Sequence, residues 1–211
     1  MLQLDEVTLF RNDRTVAHGL SLCVKAGQAA LVQGPNGSGK TTLLRTVCGW
    51  RPAYAGTILW RGAPLRSALQ ALREDLAYLG HQDGLHDDLS ARENLRWLAA
   101  LGGEAKTDLD LDEALEGMGV LHAAAQPTRA LSRGQRRRVA LARFLLTRKP
   151  LWVLDEPLAA LDAEAQQRIQ TCVARHLQAG GVALLSCHTA SWPDHPSWHR
   201  LSLSARPGLA H

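Results

Sequence analysis

The chain has 211 residues, 45% of them hydrophobic and 21% charged, which fits one globular domain whose core needs no disulfide or metal staple. No run approaches the about 20 consecutive apolar residues of a membrane span, and the opening MLQLDEVTLF lacks the charged and apolar regions of a signal peptide, so the expectation is a soluble chain that stays in the cytosol unless a partner anchors it. The net charge of +4 comes from 20 Arg and 4 Lys against 20 acids; the arginines are dispersed apart from Arg136-Arg137-Arg138, and without a nucleic-acid motif they read as a solvated surface with no nucleic-acid partner.

In chain order, Leu20, Leu22 and Val24 alternate with polar neighbours, the pattern of a half-buried antiparallel strand. Cys23 falls within that stretch; with Cys48, Cys172 and Cys187 it forms neither a C-x-x-C pair nor a ligand set, so all four read as buried or inert thiols. Ala29-Ala30-Leu31-Val32 is a continuous apolar run that enters a glycine cluster, as a buried central strand feeding a turn does. A helix is predicted over 39–49, and short strands over 57–60 and 76–79, separated by Arg61-Gly62-Ala63-Pro64 and a helical stretch.

From about 85 to 130 the character changes: helical patterns at 91–101 and 111–118 flank a Gly102-Gly103 break. A largely buried helix is predicted over 134–147, closed by Lys149-Pro150. Then come a buried strand at 151–154, a helix at 163–178 ended by Gly180-Gly181, a strand at 182–186 and a last strand near 200–203. Alternating strands and helices predict an α/β domain.

Two segments carry chemistry. Gly34-Pro35-Asn36-Gly37-Ser38-Gly39-Lys40-Thr41, followed by Thr42, matches the eight-position phosphate-loop pattern and lies between a predicted strand and a predicted helix. Its glycines let successive backbone N–H groups converge, the helix N-terminus adds partial positive charge, Lys40 reaches the β- and γ-phosphates, and the Thr41 hydroxyl is a Mg²⁺ ligand. Leu151-Trp152-Val153-Leu154-Asp155-Glu156 is an apolar strand delivering two acids at its C-terminal end, the edge where open α/β sheets bind ligands. There Asp155 is placed to hold Mg²⁺ and Glu156 to polarise the attacking water.

Leu131-Ser132-Arg133-Gly134-Gln135, ending 20 residues before Asp155, resembles the LSGGQ signature of ATP-binding cassette (ABC) ATPases, with Arg133 in place of the first of its two glycines. The resemblance spans nearly the whole chain. It implies a P-loop α/β fold with an antiparallel β subdomain and an inserted helical subdomain at about 83–135, all within one ABC ATPase domain. It implies Gln82 as the Q-loop residue and a metal ligand, Ala160-Leu161-Asp162 as the D-loop, and His188 as the switch histidine that orients the γ-phosphate. ATP and Mg²⁺ are the implied cofactors. The implied assembly is a head-to-tail dimer holding each ATP between one copy's phosphate loop and the other's Ser132, Gly134 and Gln135. The adenine-stacking position falls on Arg11 with Phe10 beside it; either stacks on a base, and core packing is the other reading of Phe10.

Within the family, Gly80-His81-Gln82-Asp83-Gly84-Leu85, Leu89-Ser90-Ala91-Arg92-Glu93-Asn94-Leu95 and Arg137-Arg138-Val139-Ala140-Leu141-Ala142-Arg143 resemble the CcmA group, the ATPases of bacterial cytochrome c biogenesis and haem export. That likeness implies integral membrane partners of the CcmB and CcmC type and a peripheral position on the cytoplasmic face of the bacterial inner membrane. An ATPase serving another exported substrate fits the same motifs, as does a soluble ABC protein outside transport.

Overall fold

The computed structural model describes residues 1–11, 14–187, 192–193 and 195–204. The chain divides into two compact units: Met1–Tyr78 with Lys149–Glu156 and His176–His211, and Leu79–Arg148 with Pro157–Arg175.

The first unit carries two sheets. In one, β1 (Leu2–Arg11) is flanked by β2 (Arg14–Val24) and β4 (Ala55–Trp60), both antiparallel to it, and β5 (Ala63–Pro64) closes the edge. The other has the order β6 (Leu76–Leu79), β7 (Leu151–Leu154), β8 (Val182–Cys187), β3 (Ala29–Gln33), β9 (Trp198–Ser202), with β7, β8, β3 and β9 running parallel. Parallel strands buried on both faces read as unbroken apolar runs, and β7 and β8 are buried at every position.

Alternation decides which side chains meet the first helix, α1 (Lys40–Val47). Ala30 and Val32 of β3, Leu151 and Val153 of β7, and Val182 and Leu184 of β8 share one core with Leu43, Leu44 and Val47 of α1. Leu2, Leu4, Val7 and Leu9 of β1 join the same core from the antiparallel sheet. With a side-chain period of two, the next positions on that face are Asp155 beyond β7 and Ser186 near the end of β8. Both lie where strands stop and the loop before α1 begins. The short helix α2 (Leu65–Asp75) links β5 to β6.

The second unit contains α3 (Ala91–Leu101), α4 (Asp108–Gly117) and α5 (Arg133–Leu146), and α6 (Ala163–Gln178) begins in it. Helices α3, α4 and α5 each start from a reciprocal capping box: Ser90 with Glu93, Thr107 with Asp110, and Ser132 with Gln135. Such boxes satisfy two of the orphan N–H groups at a helix start. Asp162 accepts the Ala165 N–H at 2.8 Å at the start of α6.

The arginine run is a correction to the solvated reading. Arg137 is 5% exposed, and its Nη1 donates to the Gly80 carbonyl and to Asp83 Oδ1, each at 2.9 Å. Arg136 Nη1 reaches Asp87 Oδ1 at 2.6 Å and the Thr128 carbonyl at 2.9 Å, and Arg138 Nη1 reaches the Gly119 carbonyl at 3.1 Å. These guanidiniums tie the second unit together through their fork of donors.

Candidate functional site

The loop between β3 and α1 is shaped by three glycines. Gly34 has φ +152, and a Cβ there would stand 2.3 Å from the Leu203 carbonyl oxygen and 2.6 Å from Ser38 Oγ. Gly37 and Gly39 take φ +80 and +101, and a Cβ on Gly39 would press on Val16 at 3.2 Å. Only glycine adopts such angles at no steric cost. The loop therefore runs tight against the Leu203 backbone and the Val16 side chain, and delivers α1 without a side-chain cap and with no acid in its first turn.

A helix start has four backbone donors with no partner inside the helix. Here neither a capping side chain nor an acid satisfies them, and Ser38 Oγ is buried without a hydrogen-bond partner. That polarity suits an anion of several oxygens. Lys40, 5% exposed, folds over the loop: its Nζ donates to the Gly34 carbonyl at 2.8 Å and the Pro35 carbonyl at 3.2 Å, and lies 3.7 Å from Glu156 Oε1. Thr42 is buried beneath, its carbonyl accepting from the Thr46 hydroxyl at 2.9 Å.

The two carboxylates enter from β7. Asp155 is 1% exposed and accepts from the Thr41 hydroxyl at 2.7 Å through Oδ2, joining residues 114 positions apart in sequence. Through Oδ1 it accepts from Ser186 Oγ. The Glu156 N–H donates to that same Ser186 oxygen at 2.9 Å, and Glu156 takes φ +50. Two hydroxyls thus set the plane of one carboxylate, and a third hydrogen bond fixes the backbone turn that carries the other. Ser186 went unread in the sequence. Its available signal was one hydroxyl in the buried strand Val182–Cys187, running parallel beside the strand that ends in the two acids.

Hard oxygen donors at Thr41 and Asp155, 2.7 Å apart at the mouth of a phosphate-shaped loop, fit a magnesium ion, which keeps most of its waters and takes only one or two protein ligands. Lys40, Thr41, Asp155 and Glu156 are thus brought together in the first unit.

Arg11 is exposed at the end of β1 and pairs with Arg14 across the hairpin. Phe10 beside it is 42% exposed, so the core reading of Phe10 does not hold. Its ring stacks on Tyr54 with centroids 5.2 Å apart and planes 25° from parallel.

The second unit holds the remaining described candidates. Gln82 is exposed, two residues past Gly80 and next to Asp83, both held by Arg137. The Ser132 hydroxyl oxygen accepts from the Gln135 N–H at 3.2 Å, while the Gln135 side chain accepts from the Ser132 N–H at 2.9 Å and lies 3.2 Å from His122 Nε2. The cap uses a lone pair of Ser132 and not its proton. Gly134 lies close to the Ala160 carbonyl, 3.3 Å from where a Cβ would stand, and Ala160 has φ +62. His188 lies outside the described residues.

The chain is similar in sequence and in fold to known proteins. The sequence profile of the ABC transporter family matches residues 17–159. The chain is 38% identical over 203 residues to the cytochrome c biogenesis ATP-binding export protein CcmA of Vibrio cholerae, covering 96% of this chain and 98% of that protein. It is 41% identical over 207 residues to the protein of the same name from Nitrosomonas europaea, covering 97% and 96%. In fold it is similar to an ABC transporter ATP-binding protein from Pyrococcus furiosus, with a TM-score of 0.84, 24% identity and 96% of each chain covered. It is also similar to CbiO1 of Clostridium perfringens, part of the ABC transporter complex CbiONQ, with a TM-score of 0.73, 26% identity and coverage of 89% and 78%.

Proposed function

We propose, from the premise that this chain belongs to the ABC transporter family and within it to the CcmA ATP-binding proteins of cytochrome c biogenesis, that it works as a head-to-tail pair on the cytoplasmic face of a bacterial inner membrane. As an ABC ATPase it splits ATP to ADP and phosphate. The pair drives integral membrane subunits of the CcmB and CcmC type, and the work is haem export or delivery to the cytochrome c maturation machinery.

The observation that carries the reading is the meeting of the phosphate loop with the paired acids: Thr41 against Asp155 at 2.7 Å and Lys40 near Glu156 at 3.7 Å. The β- and γ-phosphates of ATP take the backbone donors at the start of α1, and Lys40 exchanges its carbonyl partners for phosphate oxygens. Thr41 and Asp155 would hold Mg²⁺, which when bound neutralises charge on the β- and γ-phosphate oxygens. Glu156 orients a water in line with the γ-phosphorus and receives its proton as the new O–P bond forms; the bond to the β,γ-bridging oxygen breaks and ADP leaves. Such general-base help is worth about 10²- to 10⁴-fold.

The facing copy supplies Ser132, Gly134 and Gln135. The Ser132 oxygen serves the cap, so its proton remains for a γ-phosphate oxygen, aided by the positive end of α5. His188 orients the γ-phosphate, and Arg11 or the Phe10–Tyr54 stack receives the adenine. Loss of the γ-phosphate removes the contact joining the copies, so hydrolysis separates them.

The test is Glu156→Gln with MgATP. Binding with turnover reduced at least about 10²-fold, and a particle of doubled mass in size-exclusion chromatography with light scattering, are expected. Near-normal turnover would remove Glu156 from the role, and a monomer at saturating ATP would sink the paired reading. Co-purification with integral membrane proteins of cytochrome c maturation is expected from the native host; recovery only as a free complex would overturn the coupling.

A further inference from the structure

We propose that Ser186 is a positioning residue of the ATPase site, a hydroxyl clamp that holds Asp155 and Glu156 in their working geometry at once. The proposal rests on the ATPase reading above and adds a residue to it.

The case begins with strand chemistry. β8 is the interior strand between β7 and β3, and Ser186 within it is completely buried. A hydroxyl in such a place is unfavourable unless fully hydrogen-bonded, and an alanine would pack without that demand. Ser186 meets the demand in both directions. Its proton goes to Asp155 Oδ1, and a lone pair accepts the Glu156 N–H at 2.9 Å.

Register makes this possible. Leu154 of β7 pairs with Leu185 of β8, and Val32 of β3 pairs with Ser186. Ser186 therefore stands one step beyond the last β7 pair, level with the point where the chain leaves the sheet as Asp155-Glu156. It also lies on the α1 face by alternation.

Each bond has a separate consequence. The bond to Oδ1 leaves Oδ2 for Thr41, so the Asp155 carboxylate is held by two hydroxyls and cannot rotate freely. The bond from the Glu156 N–H braces a residue at φ +50, a sparsely populated angle for a side chain of this kind that persists when neighbours over-determine it. With the brace gone, Glu156 relaxes towards an ordinary backbone angle and its carboxylate swings with it. Ser186 touches neither substrate nor reacting water; it acts through its two neighbours.

The test is Ser186→Ala in the full chain, with turnover measured against ATP concentration and nucleotide affinity measured separately with a fluorescent ATP analogue in EDTA and in Mg²⁺. The proposal expects kcat to fall about tenfold or more while affinity in EDTA stays within about twofold, with a smaller gain in affinity on adding Mg²⁺. A kcat within about twofold of the parent overturns it. Equal loss of affinity with and without Mg²⁺ also overturns it, since that marks general collapse of the site. If the parent chain itself neither binds nor hydrolyses ATP, the ATPase reading fails and the proposal with it; an active parent with an unaffected variant fails the proposal alone. Should Ser186→Ala not fold, Ser186→Cys keeps the volume with a weak donor and is held to the same outcomes.

Discussion

Glycine at position 34 is required by contact as well as by angle. A methyl group there would stand 2.3 Å from the Leu203 carbonyl and 2.6 Å from Ser38 Oγ, closer than Cβ atoms come to other heavy atoms, and the Leu203 oxygen is backbone that cannot swing aside. Gly34→Ala is expected to cost about 1–3 kcal/mol of stability, the range for overpacking and backbone strain, and to abolish ATP binding in a fluorescent-nucleotide titration. Gly62, with nothing within 4 Å of a Cβ, is the control, because substitution there meets only the angular cost. Residue scale is also where sequence reading served unevenly. Lys40, Thr41, Asp155 and Glu156 stand out because each motif is contiguous and its chemistry is local. Ser186 does not, because its partners come from β7 and its role exists only once two strands are in register. Arg137 likewise looks like one of three equivalent arginines until burial separates it from its neighbours.

Helix α5 shows how one side chain serves an element and a site together. Ser132 closes the capping box, and a cap of this kind is worth about 0.5–2 kcal/mol. Ser132→Ala is expected to lose stability in that range and also to lose turnover. Ser132→Asp keeps a capping acceptor, so urea unfolding should return to near the parent midpoint while turnover does not, because a carboxylate cannot donate to a γ-phosphate and repels it. Recovery of both would assign Ser132 to the cap alone. Among the strands, β3, β4, β6, β7 and β8 were legible as apolar or alternating runs bounded by glycine and proline, and helices α3 and α5 from helical patterns ended by Gly102-Gly103 and by Lys149-Pro150, whereas their capping boxes were not read. β1 was not. Its alternation fails at Asp5-Glu6, where Glu6 turns to φ +49 and the register with β2 shifts between Leu4 and Val7. A bulge of this sort moves the following residues onto the other face, so a period of two cannot be followed across it. An interior strand of the antiparallel sheet is thus concealed from sequence pattern, as is the short edge strand β5, whose Ala63-Pro64 reads as part of a turn.

For the whole molecule, acid is the informative perturbation. His176 stacks on Trp152 with centroids 3.8 Å apart and planes 8° from parallel, and its Nε2 lies 3.3 Å from the Val182 carbonyl. Burial pushes its pKa below the ordinary histidine value, against the opposing pull of the Val182 and Pro150 carbonyls. The folded state therefore favours the neutral ring, while the unfolded chain takes up a proton near the ordinary value. The contribution of His176 is fully present above that value of about 6.5 and is lost as pH falls through it towards the lower folded value. Urea midpoints measured from pH 7.5 to 5.5 should decline, and the decline should be shallower in His176→Phe, which keeps a ring on Trp152 and removes the titration. An identical decline in both would place the acid sensitivity elsewhere. The α/β class was legible because strand and helix alternate along the chain, whereas partners such as Trp152 and His176 become neighbours only on folding.

The Arg137 clamp ties residues 80–83 to α5. Its guanidinium grips the Gly80 carbonyl and Asp83 from the fifth position of α5, about 7 Å along the axis from Ser132 at a rise of about 1.5 Å per residue. A force on residues 80–83 is then not absorbed by a slack loop but pulls on the helix as a yoke pulls on its shaft, and the serine at the tip travels with it.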